Sequence, residues 1–238
     1  MKLIGILGGM GPQATLSLMQ RILELTPARE DAGHVPLLVC NDPRIPDRTA
    51  AIRGEGPSPL PALIEAARRL QAGGVDVIAM PCNTAHYVLP SLRAAVDVPF
   101  LDLIDEVSLA LTQTVASGAA VGILATDGAI EAGIYRRGLA AHGLRALDPT
   151  PEDQRRVMET IYGPRGVKGG CLAPEQAETL REVIHNLEDR GAQAVVAGCT
   201  EIPVVLDRFK PALNLPVICS IDTLARAIIR EAGKASSR

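Results

Sequence analysis

One spacing constrains this chain more than any other. Cys82 and Cys199 stand 117 positions apart, and so do Gly5 and Gly122, Gly74 and Gly191, Pro99 and Pro216, and Asp105 and Asp222. Five landmarks that share one offset imply an internal duplication. Each copy reaches its cysteine through the same local pattern: Gly74 leads into VDVIAM and then Pro81 and Cys82, while Gly191 leads into AQAVVA and then Gly198 and Cys199. A short apolar run bounded by turn residues predicts a buried strand. Each cysteine is therefore expected just past the carboxyl end of a central strand, where open α/β sheets place their ligand crevices. The spacing predicts an α/β protein of two similar domains with mostly parallel sheets, facing each other across a pseudo-twofold axis, each presenting one cysteine. Residues 1–113 with 214–238 are expected to form the first domain, carrying Cys82, and 114–213 the second, carrying Cys199.

Composition removes several classes of function. Aromatic residues make up 2% of the 238, with no Trp, too few for base-stacking platforms. The net charge of -3 comes without a basic block, so no electrostatic footprint for nucleic acid is present. No apolar run approaches the roughly 20 residues of a membrane span, and MKLIGILGG reads as a first strand rather than a leader. The five cysteines form no CxxC and no metal-ligand spacing. An odd number without a secretory leader points to reduced thiols in the cytoplasm.

Along the first half, KLIGIL predicts a strand and Pro12 the first residue of a helix over 12–25. The intervening GGMGP is not a dinucleotide fingerprint. It reads either as a backbone N–H loop that holds an anionic group such as a carboxylate or as a tight strand–helix turn. VPLLVCND predicts a strand with Cys40 as a buried structural thiol, and PRIPDRTAAI a loop. In that loop Arg48 either grips a carboxylate through two parallel hydrogen bonds or forms a surface ion pair with Asp47 or Asp42. A loop over 54–61 and a helix over 60–70 follow. After Cys82, Asn83 and Thr84 are helix-capping types, which would set Cys82 at the positive end of a helix and stabilise its thiolate. His86, four residues on, either reaches back to the thiol or packs the helix. A strand over 99–103 and a helix over 104–115 complete this half.

In the second half AAVGILAT predicts a strand, and Thr126, Asp127 and Gly128 replace the glycine loop. Helices are expected over 129–141 and 152–161, with a short segment over 144–147 between them. The Gly-rich stretch YGPRGVKGGC carries Lys168, either a second positive charge for substrate or a solvated loop lysine; Cys171 has no assigned role. A helix over 174–190 precedes the strand AQAVVA, and Thr200 and Glu201 should begin the next helix. LPVICSID predicts the last strand, with Cys219 buried, then a helix over 224–232. The tail KASSR should fray.

Two thiols facing one crevice suit proton abstraction on one face of a carbon and delivery on the other, because a cysteine pKa can be tuned toward the working pH. Asn83, Thr84, Thr200 and backbone N–H groups are candidates to stabilise the carbanion. No cofactor and no Schiff-base lysine is needed. The stretches GILGGMGP, NDPRIPDRTAAI, MPCNTAH, GILATDG, IYGPRGVKGG and AGCTEIPVVL together resemble the aspartate/glutamate racemase family, and in detail its cofactor-independent aspartate racemases. The resemblance implies two α/β domains with the site in the interdomain cleft, often in a homodimer, acting on a small-molecule substrate. It implies Cys82 and Cys199 as paired acid/base groups. It also implies substrate contacts at Met10, Asp47, Arg48, Thr49, Asn83, Thr84, Lys168, Thr200 and Glu201, with Arg48 and Lys168 on the side-chain carboxylate. A broad aspartate/glutamate racemase or a glutamate racemase is the alternative, although glutamate racemases of the wall-synthesis type carry CTH where this chain has CTE. A non-catalytic amino-acid-binding protein of the same fold is the alternative from another class.

Overall fold

The computed structural model describes residues 1–234; the expected fraying of the tail bears on 235–238, outside them. The chain divides into two units, Met1–Glu106 with the segment from Ile221 on, and Val107–Ser220. In the first, β1 (Ile4–Gly8) is followed by α1 (Pro12–Leu25), β2 (Leu37–Asn41), α2 (Arg48–Ile52), α3 (Leu60–Ala72), β3 (Val77–Ala79), a 3-10 turn over Thr84–Val88, α4 (Leu89–Arg93) and the start of α5 (Leu103–Thr112). The strands are parallel in the order β2-β1-β3. Every residue of β1 is buried, as a central strand covered on both faces must be. Pro12 opens α1 where its missing N–H costs nothing, and the helix buries Ala14, Leu18 and Ile22 at a spacing of four, the helical repeat of one face.

The second unit runs from β4 (Ala120–Leu124) through α6 (Asp127–Glu131), α7 (Ile134–Ala141), β5 (Arg145–Leu147), α8 (Pro151–Tyr162), a 3-10 turn over Val167–Gly169, α9 (Pro174–Asp189), β6 (Ala192–Ala197) and α10 (Glu201–Phe209) to β7 (Val217–Cys219). Its order is β5-β4-β6-β7, all parallel. The chain then returns in α11 (Ser220–Ala232). The helix is tied to the first unit by Lys2–Glu231 and Arg21–Asp222 ion pairs, both 2.6 Å.

The duplication holds at the level of strand register. Ile4 pairs with Val77, Gly5 with Ile78 and Ile6 with Ala79. Their counterparts 117 residues on pair likewise: Val121 with Ala194, Gly122 with Val195, Ile123 with Val196. The isolated bridge between Ile78 and Phe100 has its counterpart in the Val195–Val217 pair. The outer strands break the offset. Leu37 lies 33 positions after its partner Ile4, whereas Ala146 lies 25 after Val121. The missing eight are restored before β6.

Several local expectations are corrected. The helix expected over 129–141 is two helices, because Gly133 turns left-handed at φ 60° between α6 and α7. The 99–103 strand shrinks to one bridging residue, Phe100, and VDVIAM to the three residues of β3. PRIPDRTAAI is not all loop: Asp47 accepts a hydrogen bond from Ala50 N and starts α2. Cys40 and Cys219 are only half-buried, since both lie on edge strands.

Candidate active site

In the first unit the expected site residues sit beyond the carboxyl ends of adjacent parallel strands. β1 delivers Met10, β2 the segment with Asp47, Arg48 and Thr49, and β3 Cys82, Asn83 and Thr84. Arg48 is buried, not a surface residue. Its Nη1 donates to the Ile45 and Pro46 carbonyls at 3.3 and 3.0 Å, and its Nη2 to the Met10 carbonyl at 3.4 Å. The guanidinium thus joins the loops after β1 and β2. Asp42 is engaged by Arg44 through side-chain and backbone bonds that hold its carboxyl at about 2. Burial raises the pKa of the Tyr87 phenol, and the Arg48 charge opposes the rise. Thr49 Oγ1 is buried and makes no hydrogen bond among the described residues, a donor left for a ligand or water. Gly9 N–H donates to Thr15 Oγ1 at 3.1 Å, so this amide of GGMGP serves the fold rather than an anion.

Cys82 is 6% exposed. Its N–H donates to the Met80 carbonyl at 2.8 Å, and its own carbonyl lies 2.9 Å from His86 Nδ1. Asn83 and Thr84 are buried beside it, but no side chain caps the turn that follows, and that turn is a five-residue 3-10 segment rather than an α-helix. The expected placement at a helix's positive end is corrected accordingly. His86 does not turn its ring to the thiol; it bonds the backbone.

The second unit builds a denser cluster around Cys199, which is 7% exposed. Glu201 and Thr200 begin α10 as expected. The Cys199 thiol donates to Glu201 Oε2 at 2.9 Å, and Thr200 Oγ1 donates to the same oxygen at 2.9 Å. Lys168 Nζ lies 3.3 Å from Glu201 Oε1 and 5.0 Å from the centre of the Tyr162 ring. The Val167–Gly169 turn packs against α8 and α10, which brings this lysine in. Burial disfavours the Glu201 carboxylate, but Lys168 and the bonds from Cys199 and Thr200 outweigh it and hold its pKa below the ordinary value. Burial, then the Glu201 charge, pushes the Cys199 thiol well above its usual range, with Lys168 pulling the other way. At neutral pH this site holds a protonated thiol beside an ionised carboxylate. Tyr135, which the sequence did not single out, is buried against Gly198: a Cβ there would lie 2.6 Å from the tyrosine ring. Only glycine lets the ring back the residue before Cys199.

Among the described residues no three or more His, Cys, Asp or Glu side chains gather where they could hold a metal ion, and no helix is long and apolar enough to cross a membrane. Two parallel α/β units each set a buried cysteine with polar neighbours beyond the carboxyl end of a strand, β3 at the edge of its sheet and β6 inside its own, the arrangement expected of a protein of the racemase class. The chain belongs to the Asp/Glu/hydantoin racemase family, whose model matches residues 7–228. It is therefore an amino-acid racemase, an isomerase. The structure of Picrophilus torridus aspartate racemase is similar over 100% of this chain and 96% of its own, with a TM-score of 0.80 and 32% identity. The broad specificity amino-acid racemase RacX of Bacillus subtilis is 25% identical over 95% of this chain and 96% of its own length. A glutamate racemase of Deinococcus radiodurans is 30% identical over 82% of this chain, which spans 61% of that protein.

Proposed function

We propose that this chain interconverts L- and D-aspartate by a cofactor-independent two-base mechanism, with Cys82 and Cys199 on opposite faces of the substrate Cα. The observation that carries the reading is the Cys199 thiol bonded to Glu201, a carboxylate kept ionised by Lys168. A thiol at a strand end with a proton acceptor 2.9 Å away has the geometry of an acid/base pair. Glu201, expected as a substrate contact, is here the acceptor. Transfer of the Sγ proton to Oε2 leaves a thiolate beside a neutral acid. The thiolate takes the α-proton, and the Cys82 thiol gives its own proton to the other face of the carbanion. Product leaves with Cys82 as thiolate, Cys199 as thiol and Glu201 as the neutral acid. Loss of the Glu201 proton to solvent and uptake of one by Cys82 reset the enzyme, and the reverse reaction starts from the form with Cys82 as thiolate. Met10, Asp47, Arg48, Thr49, Asn83, Thr84, Lys168 and Thr200 are the substrate contacts, with Arg48 and Lys168 on the side-chain carboxylate.

Aspartate is favoured by the similarity to the Picrophilus torridus aspartate racemase over the whole chain. Broad specificity is the second reading, favoured by the match to RacX over nearly the full length of both proteins. The enzyme is proposed to work in the cytoplasm as a homodimer. All five of its cysteines are free thiols, which suits a reducing compartment.

The test is proton NMR of the protein with L-aspartate in D₂O under reducing conditions, with chiral chromatography alongside. Loss of the Cα proton signal with appearance of D-aspartate is expected, and L-glutamate in parallel sets the breadth. Cys82→Ser and Cys199→Ser should each abolish racemisation; full turnover in both single variants refutes the mechanism. Saturable binding with no α-proton exchange for either amino acid would instead mark a binding protein.

A further inference from the structure

His86 is buried, 6% exposed, four residues after Cys82, and both of its ring nitrogens are engaged. Nδ1 lies 2.9 Å from the Cys82 carbonyl. Nε2 lies 3.2 Å from the backbone N–H of Leu103, the first residue of α5. An amide N–H can only donate, so Nε2 must be the unprotonated acceptor and Nδ1 carries the hydrogen that reaches the Cys82 carbonyl. One neutral tautomer satisfies both bonds; a cationic ring would lose the bond from Leu103. Burial favours the neutral ring, with Asp102 pulling toward the cation and Arg93 against it. Asp102 completes the arrangement: its Oδ1 accepts from Ile104 and Asp105 N–H at 3.1 and 3.3 Å, so His86 and Asp102 share the otherwise unpaired amides that begin α5.

We infer that His86 is a positioning residue for Cys82, holding the peptide after the thiol through one ring nitrogen and the start of α5 through the other. The Cys82 backbone is then fixed on both sides, by its N–H on the Met80 carbonyl and by His86 on its own carbonyl. With both flanking groups fixed, the direction of the side chain is limited to its rotamers. The inference rests on Cys82 being one of the two acid/base groups.

Two variants, cysteine alkylation and histidine NMR test it. His86→Phe keeps a ring and removes both bonds; it should lower kcat about 100-fold, the effect of a displacement near 1 Å in a reacting group, while KM for aspartate stays nearly unchanged. His86→Asn, whose amide can still donate to the Cys82 carbonyl, should recover most of that loss. Reaction with iodoacetamide, followed by mass spectrometry cysteine by cysteine, should show the Cys82 rate changed in His86→Phe and the Cys199 rate unchanged. An asparagine variant as impaired as the phenylalanine one, or an unaltered Cys82 rate, overturns the inference. Should His86→Phe fail to fold, ¹⁵N NMR of the wild-type histidines decides: a ring protonated only at Nδ1 at neutral pH supports it, and one protonated at Nε2 overturns it. The alkylation and NMR results do not depend on turnover, so a protein that fails to racemise aspartate would refute the functional reading and leave the positioning of Cys82 judged separately.

Discussion

Replacing Glu201 with glutamine separates two roles that the carboxylate could play toward Cys199. The substitution keeps the side-chain volume and removes one charge. Three partners feel the change: the Cys199 thiol and the Thr200 hydroxyl, each 2.9 Å from Oε2, and Lys168, 3.3 Å from Oε1. Burial is the larger reason that the Cys199 pKa is high, and the Glu201 charge is the next, so the variant's thiol should ionise more easily. If the carboxylate merely held the thiol protonated, its loss would speed proton abstraction. If it receives the thiol proton, catalysis slows although the thiol is more acidic. A hydrogen bond to a charged group contributes about 1.5–3 kcal/mol, so about a ten- to 150-fold fall in racemisation is expected. The assays are chiral chromatography for the rate and ultraviolet thiolate absorbance against pH, in a Cys82→Ser background, for the thiol. A Cys199 that titrates lower while racemisation in the otherwise wild-type chain is unchanged or faster refutes the acceptor role.

Gly198→Ala would place a methyl carbon 2.6 Å from the Tyr135 ring; overpacking of this kind costs about 1–3 kcal/mol, and an unchanged Tm would show that the ring yields freely. Arg48→Lys loses the forked bonds to the Ile45, Pro46 and Met10 carbonyls. At about 1.5–3 kcal/mol for a bond from a charged group, KM for aspartate should rise about tenfold or more, and an unaltered KM would remove Arg48 from the substrate site. Because the folded pKa of Cys199 lies above its unfolded value, the stability it contributes is full below about pH 8.5 and is lost as pH rises toward the folded value. Thermal unfolding should therefore show an alkaline decline that Cys199→Ala flattens. Glu201 has the opposite sign: its folded pKa is depressed, so its contribution is present above about pH 4.3 and fades as acid is added, and Glu201→Gln should flatten that limb.

The strands that lead to the cysteines and their neighbours were legible because register ties them to the sequence offset: the β1–β3 and β4–β6 pairs match residue for residue 117 positions apart. The outer strands were not, since β5 comes eight residues early relative to β2 and no repeat search at a fixed offset passes through it. Short α2 hid behind Pro46 and a charged run, although Asp47 ahead of RTAAI was a capping signal. Family resemblance placed Glu201 among the substrate contacts. Its bond from the Cys199 thiol was foreshadowed only by the offset, which sets Glu201 opposite Thr84, so the copies differ at the second residue after each cysteine. Whether His86 faced the thiol or the backbone depended on the path of the chain to Leu103, 17 residues away, which no local pattern encodes. Tyr135 carried no signal, because its contact with Gly198 joins segments far apart in sequence.

The carboxylate beside Cys199 also bears on the enzyme between turnovers. A two-thiol racemase leaves each catalytic cycle with its proton on the other cysteine, so the free enzyme exists as two protonation isomers. Equal cysteines would populate them equally. Here only one copy carries a glutamate two residues beyond its cysteine, and that glutamate accepts the thiol hydrogen. Under the proposed mechanism Cys199 is protonated in both isomers, and the moving proton lies on Cys82 in one and on Glu201 in the other. Lys168 favours the ionised Glu201, so the resting population is biased toward the isomer with both thiols protonated. Conversion in one direction then starts from the common form, and conversion in the other must wait for the rare one. The equilibrium constant of one between enantiomers fixes the ratio of kcat/KM values but not the two kcat values. At saturating substrate the return of the free enzyme to its favoured isomer becomes part of the rate.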